Sequence, residues 1–166
     1  MQRTWLWGTA TGRPALLLDF SPPGAPLEPR AAAGTLVDAE LVFHPSATPL
    51  RALPVSELAL VGRATGRLGG GAGRGVGAAL EAAAGALAAN PWLDEWPVAL
   101  GEAVVDGPEP WAVSAGDGSL PLGGTEEGLW RLLAFGGGRP VTVFGLWNGA
   151  ALVPLAAGDE ARLVAA

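Results

Sequence analysis

Hydrophobic and polar residues alternate along the first third of the chain in the pattern of β-strands. Within 35–43, apolar residues occupy every second position from 37 to 43, with Asp38 and Glu40 among the residues between them. Since successive side chains of a strand point to opposite faces, this alternation predicts one half-buried strand over 35–43. Upstream, apolar runs at 4–7 and 14–20 flank a short connection rich in Thr and Gly, which predicts a hairpin.

Two other segments have the residue spacing of helices. Residues 77–89 are mostly Ala, the best helix former, and Asn90-Pro91 is a stop signal. Because Glu81 is the only charged residue in this helix, we expect it to be covered on more than one side. A shorter helix is predicted to begin after Thr125, whose hydroxyl caps the first turn, and to end at Gly136. The apolar stripe expected on the first helix consists of Val76, Leu80, Ala83 and Leu87.

The C-terminal part of the sequence returns to the pattern of hairpins. A strand is predicted over 96–105, and a tight turn at Asp117-Gly118 joins two short strands after it. A last hairpin joins 141–147 to 150–155 across Asn148-Gly149, the dipeptide that a type I′ turn favours. Apolar residues on both faces of 141–147 predict a central strand that is covered on both sides.

The predicted elements follow one another as strands, helix, strands, helix and strands, which indicates an α+β fold. We expect about eight strands, paired in hairpins into a mainly antiparallel sheet, and two helices. At 166 residues the chain has the size of a single domain. We divide it into an N-terminal β lobe at 1–61, a Gly- and Arg-rich linker and helix at 62–90, and a C-terminal hairpin lobe at 91–166. The pattern leaves open whether the arrangement is barrel-like or two-lobed.

Composition narrows the chemistry that this fold can carry. Hydrophobic residues make up 49% of the chain and charged residues 16%, which excludes a charge-driven disordered protein. There is no Cys and no Lys, and His44 is the single histidine. Disulfides, cysteine-based zinc sites, thiolate or Schiff-base catalysis and a phosphate-binding loop of the Walker type are therefore excluded. We expect no metal and no cofactor.

The same composition bears on origin and location. The joint absence of Lys, Tyr and Ile is typical of a GC-rich bacterial genome. Residues 1–5 lead directly into a structured pattern, without the apolar region of a signal peptide. The most apolar stretch, 76–89, is too short and too rich in Ala and Gly to span a bilayer. We therefore expect a cytoplasmic protein that does not associate with membranes.

The Gly-rich stretch after residue 62 is the first candidate for a binding site. It contains Arg63, Arg67 and Arg74, and such Arg–Gly segments contact the phosphates of nucleic acids. The net charge of −6 opposes a polyanion, so a solvated linker is favoured over direct nucleic-acid binding. Residues 73–78 loosely match the dinucleotide-binding pattern G-x-G-x-x-G/A, but no predicted strand precedes them.

Catalytic groups are few. The sequence around Ser114 imitates a nucleophile elbow, yet its predicted strand leads into a turn and not into a helix. His44 is followed by Pro45 at the end of a predicted strand, where a role in capping a backbone group is favoured. The paired acids at 94–95 and 126–127 are adjacent in sequence, and adjacent side chains on a helix do not face each other. We expect no enzymatic activity.

Trp92 and Trp96 flank a short Leu-Asp-Glu segment and are candidate ligand contacts among the seven Trp residues. Trp side chains stack on sugars or bases. In a chain without Tyr or Ile, however, Trp also supplies core volume, and this interpretation is favoured for most of the seven. The residues proposed from the sequence for contact with a ligand or partner are Trp92, Trp96, Arg63, Arg67 and Arg74.

Several sequence phrases occur together in one known family. They are Trp5-Leu6-Trp7-Gly8, Leu16-Leu17-Leu18-Asp19-Phe20, the run 34–41, Phe43-His44-Pro45, Asn90-Pro91-Trp92-Leu93 and the run 139–149. This combination resembles the C-terminal region of bacterial SWIM zinc-finger family proteins, in which a cysteine/histidine zinc motif lies upstream. Those cysteines are absent from this chain, so the resemblance assigns no zinc ligand to any of its residues.

The resemblance implies a non-catalytic accessory or interaction domain, because SWIM modules are generally linked to DNA or protein interaction. An upstream zinc-finger module or another protein is then the expected partner. The alternatives from the residues are a small-molecule or carbohydrate-binding module that uses exposed Trp residues, or an enzyme of unrecognised type.

Overall fold

The computed structural model describes residues 1–22, 24–27, 30–67 and 75–166. Within these ranges the chain forms two α-helices and twelve β-strands, and the paired strands are antiparallel. This confirms the α+β fold built from hairpins with two helices. The strands outnumber the expected ones because several have only three to five residues, too few to show an alternation of their own.

The elements are β1 (Gln2–Trp7), β2 (Pro14–Asp19), β3 (Thr35–Asp38), β4 (Leu41–Phe43), β5 (Ala52–Pro54), β6 (Ala59–Arg63), α1 (Gly75–Ala89), β7 (Trp96–Asp106), β8 (Ala112–Ala115), β9 (Gly118–Pro121), α2 (Glu126–Gly136), β10 (Val141–Trp147), β11 (Leu152–Gly158) and β12 (Leu163–Ala165).

A six-stranded sheet in the order β12-β11-β10-β7-β8-β9 is the central layer of the fold. The long strand β7 pairs with β10 along its first part and with β8 along its last part. Glu102, between the two parts, has a positive φ of 49°, which marks an irregularity in the strand. Directly after β9, Leu122 forms an isolated parallel bridge with Leu152 at the start of β11. The sheet therefore curls so that the end of β9 approaches β11.

One face of this sheet packs against both helices and contains the main hydrophobic core. The largest fully buried side chains of this core are Leu100, Leu132, Leu152, Val113 and Val143. From α1 the core receives Val76, while Leu87 on the same helix is half exposed. The expectation that α1 is covered on more than one side is wrong. Most of its outward positions are Ala or Gly, which expose little apolar area to water.

The other face of the sheet packs against the hairpin of β1 and β2. Phe144 of β10 lies on this face, and its ring meets that of Trp7 edge to face, with 5.6 Å between ring centroids. Val141 and Val143 point to the helix side. Six of the seven residues of β10 are buried, which confirms a central strand covered on both faces.

The predicted single strand over 35–43 is in fact two strands, β3 and β4. β3 pairs with β6 and β4 with β5, so both lie along the same returning segment, 52–63. Between the two ladders, residues 39–40 on one side face residues 55–58 on the other. The unequal lengths interrupt the pairing, although the predicted alternation of half-buried and exposed side chains holds from 37 to 43. We call the β3–β6 and β4–β5 pairs together the ribbon.

The connection between β10 and β11 differs from the predicted type I′ turn. Strand pairing leaves residues 148–151 as the connection, and among them only Gly149 has a positive φ, of 91°. The side-chain oxygen of Asn148 accepts the backbone N–H groups of Ala150 at 3.0 Å and Ala151 at 2.9 Å. Asn148 therefore acts through its side chain, as in an Asx turn, and not through a left-handed backbone.

Both helices begin at a side-chain cap. The hydroxyl of Thr125 accepts the N–H of Gly128 at 3.2 Å, as predicted for α2. For α1 the cap comes from a distant turn, because the carboxylate of Asp117 accepts the N–H of Gly77 at 3.2 Å. That turn lies in the predicted connection at 115–118 and is centred on Gly116 and Asp117, and Gly116 has a positive φ of 58°.

The carboxylate of Asp159 holds the turn between β11 and β12. Its Oδ1 accepts the N–H of Ala161 at 2.8 Å and that of Arg162 at 2.9 Å, and these bonds hold the pKa of Asp159 below its ordinary value. A carboxyl with a lowered pKa in the folded state stabilises the fold above its ordinary pKa, and this contribution is lost as pH falls through the lowered value.

We therefore expect Asp159→Ala to lower the melting temperature at pH 7, and the difference from wild type to shrink below about pH 4. Thermal melts at a series of pH values measure this. Glu160→Ala is the matched control, because it removes a neighbouring carboxylate whose ion pair with Arg67 is exposed and contributes little. A difference between Asp159→Ala and wild type that is constant with pH would contradict the role of the carboxylate charge.

Candidate functional site

The ribbon leaves an apolar surface uncovered. Five aliphatic side chains of the ribbon and of the connection between β5 and β6 are at least half exposed, from 50% for Leu53 to 68% for Leu60. Val42 on β4 lies directly opposite Leu53 on β5, so these two side chains adjoin each other. We call the five residues the ribbon patch: Val42, Leu53, Val55, Leu60 and Val61.

Strand β6 adds a free strand edge to the ribbon patch. All five of its residues are exposed, and β3 is the only strand paired with it in the part of the chain that the structure describes. The backbone N–H and C=O groups along its other edge are available to a further strand. Arg63 is the only charged residue of β6, so this edge has little of the charge that natural proteins use to block strand addition.

The border of the ribbon patch is acidic. Asp38, Glu40 and Glu57 are exposed on the ribbon or on its connections, and none of them forms a salt bridge with another described residue. Arg63 on β6 is also exposed and forms no salt bridge with another described residue, so the surface combines uncovered aliphatic side chains with a small excess of negative charge.

A second surface feature surrounds Trp92, in the segment between α1 and β7. The Trp92 side chain is 89% exposed, and a recess of about 390 Å³ opens beside it. Three chain segments that are distant in sequence meet there: β1, the connection between β4 and β5, and the segment that precedes β7. We call this the Trp92 recess; its walls include Arg3, Trp5, Thr48, Arg51, Asp94 and Glu95.

The polar groups of the Trp92 recess are partly engaged with each other. The Nη2 of Arg3 lies 2.7 Å from the Oε2 of Glu95, and this ion pair joins β1 to the segment before β7. The guanidinium of Arg3 also lies 5.8 Å from the centre of the Trp5 ring. The hydroxyl oxygen of Thr48 is shielded from solvent and has no hydrogen-bond partner among the described residues.

The structure does not bring Trp92 and Trp96 together in one site. Trp96 begins β7, lies opposite Trp147 in the strand pairing and packs against the main core. The prediction that most Trp residues serve as core volume holds for Trp96, while Trp92 and, to a smaller extent, Trp130 are exposed. Trp5, which the sequence did not single out, lines the recess instead.

The structure does not place the three arginines proposed from the sequence in one common site. Arg63 lies on the exposed strand β6. Arg67 forms an exposed ion pair with Glu160 at 2.9 Å, so its charge is already matched. Arg74 lies outside the described residues, and the part of the Gly-rich pattern that is described, 75–78, forms the first turn of α1.

The candidate catalytic residues do not form a catalytic arrangement. Ser114 lies on β8, and its hydroxyl donates to Asp106 at 3.3 Å, with no histidine beside it. His44 is exposed at the end of β4, where its backbone N–H donates to the carbonyl of Arg51 at 2.9 Å. Within the described ranges, no three His, Cys, Asp or Glu side chains gather to hold a metal. No helix in those ranges is long and apolar enough to cross a membrane.

Sequence patterns predict no strand over 52–63, so the ribbon patch is a feature that only the structure shows. The sequence indicates these strands only through aliphatic residues two positions apart, as in a strand: Leu53 and Val55, and Leu58 and Leu60. Runs of this length are too short to predict a strand reliably, and Pro54 interrupts the first of them.

Comparison of the chain with protein-family models, with curated proteins and with solved structures finds no match.

Proposed function

We propose that this chain is a non-catalytic interaction domain that binds another protein through the ribbon patch. The observation that carries the proposal is the exposure of five large aliphatic side chains along one two-stranded ribbon. Full burial of one such side chain is worth about 1.5–3 kcal/mol, and larger exposed apolar patches mark interaction sites. A partner that covers the patch gains this free energy.

The surroundings of the patch define the chemistry of the partner. Asp38, Glu40 and Glu57 outnumber Arg63 among the charged residues of β3 to β6 and their β3–β4 and β5–β6 connections, so the contacting segment is apolar at its centre and carries basic residues at its border. The free edge of β6 offers backbone hydrogen bonds, which favours an extended segment that adds to the ribbon as a further strand.

The resemblance to the C-terminal region of bacterial SWIM zinc-finger proteins supports the same role. It implies a zinc-finger module as the partner, encoded upstream by a Cys-x-Cys…Cys-x-His segment, and a cytoplasmic location. The full reading frame of the gene tests this part of the proposal directly.

The contact itself is tested by photo-crosslinking in the cells that make the protein. A photo-reactive residue at Val61 is expected to crosslink to a partner, whereas the same residue at Leu87 on α1 is not. The two positions are matched in exposure, 58% and 50%. The crosslinked protein is then purified, and its affinity for the chain is measured by calorimetry.

We expect Leu60→Asp to weaken that affinity by more than about tenfold, because it places a charge in the apolar contact. Leu87→Asp is the matched control and should leave the affinity unchanged. Equal crosslinking from positions 61 and 87, or an affinity that Leu60→Asp does not change, would contradict the proposal. Circular dichroism of each variant establishes that the fold is intact.

A further inference from the structure

We infer that the Trp92 recess binds a neutral saccharide. No residue of the ribbon patch lines this recess, so the inference is independent of the proposed protein contact. It rests on three properties of the recess: an exposed aromatic face, a balance of charge and its size.

The aromatic face is supplied by Trp92. A Trp side chain that is 89% exposed leaves a broad apolar surface in water, at a free-energy cost that a stacked ligand removes. The C–H face of a sugar ring is a flat apolar surface of this kind. Trp5 lines the same recess and presents a second indole to a ligand there.

The charges around the recess cancel. Arg3 and Arg51 contribute two positive charges, and Asp94 and Glu95 contribute two negative ones. Such a site attracts neither anions nor cations strongly, and its carboxylates repel phosphate groups. Proteins that stack nucleic-acid bases instead line their grooves with net positive charge. The balance therefore favours a neutral ligand.

The same four side chains suit a ligand that is rich in hydroxyl groups. Carboxylates accept hydrogen bonds and guanidinium groups only donate them, whereas a sugar hydroxyl does both. Hydrogen bonds to charged groups are also the stronger ones. In the recess, Arg3 is already paired with Glu95, while Arg51 and Asp94 form no salt bridge with another described residue.

The volume of the recess, about 390 Å³, lies at the lower end of the range for small-molecule sites and suits a mono- or disaccharide.

The test is calorimetric titration of the intact chain with glucose, galactose, mannose, maltose and cellobiose. At least one of these sugars is expected to bind with a dissociation constant of about 1 mM or below, and Trp92→Ala should weaken its binding by about tenfold or more. Trp130→Ala is the matched control, since Trp130 is partly exposed on α2 and does not line the recess.

Because Trp92 is almost fully exposed, its replacement is not expected to unfold the protein, and thermal melts verify this. Absence of binding by all five sugars at about 10 mM would overturn the inference, as would binding that Trp92→Ala leaves unchanged. Tighter binding of adenosine monophosphate than of any sugar would overturn the assignment of a neutral ligand. Crosslinking from Val61 stays unaffected by Trp92→Ala in each case, which separates this site from the ribbon patch.

Discussion

Phe144→Ala is expected to lower the free energy of unfolding by about 3–5 kcal/mol, because a large buried ring is lost from a packed core. Phe144 lies in the middle of the central strand β10 and is 8% exposed. Its ring packs edge to face on Trp7, and Ala99 and Ala156 complete the cluster around it. The two alanines are too small to fill the space that the ring leaves, so the substitution creates a cavity.

The cavity would form between the central sheet and the hairpin of β1 and β2, so this substitution also tests how the two layers pack. Urea denaturation followed by circular dichroism measures the effect. Phe20→Ala is the matched control, because Phe20 is 66% exposed and its loss should change stability little. If Phe144→Ala unfolds at the same urea concentration as Phe20→Ala, the hairpin does not pack on β10 as described.

Gly66→Ala is expected to destabilise the protein by about 1–3 kcal/mol through a backbone clash. A Cβ at residue 66 would lie 2.5 Å from the carbonyl carbon and oxygen of Gly158. Neither atom can move away by a change of rotamer. Residue 66 is also fixed by two hydrogen bonds of 2.6 Å: its N–H donates to the carbonyl of Asp159, and its carbonyl accepts from the hydroxyl of Thr142.

Gly62→Ala is the matched control for this substitution. A Cβ at Gly62 meets no atom within 4 Å, so Ala there should change the unfolding midpoint in urea only slightly. The contrast matters because the contact at Gly66 joins the end of the ribbon to the end of β11. Equal midpoints for the two variants would show that the segment after β6 is not held against the sheet in this way.

Much of the secondary structure follows from local sequence patterns. The hairpin of β1 and β2, both helices and the central strand β10 are predicted correctly, because each has a clear period, a stop signal or a cap within its own segment. Thr125 is an example, since its cap is made to a residue three positions away. The α+β fold class follows from the order of these elements.

The strand pairing of the ribbon and the cap of α1, by contrast, do not follow from local sequence patterns. Residues 52–63 become strands because 35–43 is there to pair with them, and Asp117 caps a helix that begins at Gly75, far away in sequence. These contacts join residues that no local window contains. The alternation at 35–43 therefore predicts a strand but does not predict its partner, or the interruption of the pairing at residues 39–40.

Trp92 and Trp96 show most clearly which properties of the candidate binding surfaces the sequence predicts and which depend on the tertiary structure. The sequence identifies both as candidates, four positions apart and identical in type, and gives no means to separate them. Trp96 is partly buried because it begins β7, opposite Trp147 and against the main core, while Trp92 precedes the strand and is left in solvent. Composition and period determine which elements form; exposure depends on what the rest of the chain places against each side chain, and only the tertiary structure decides that.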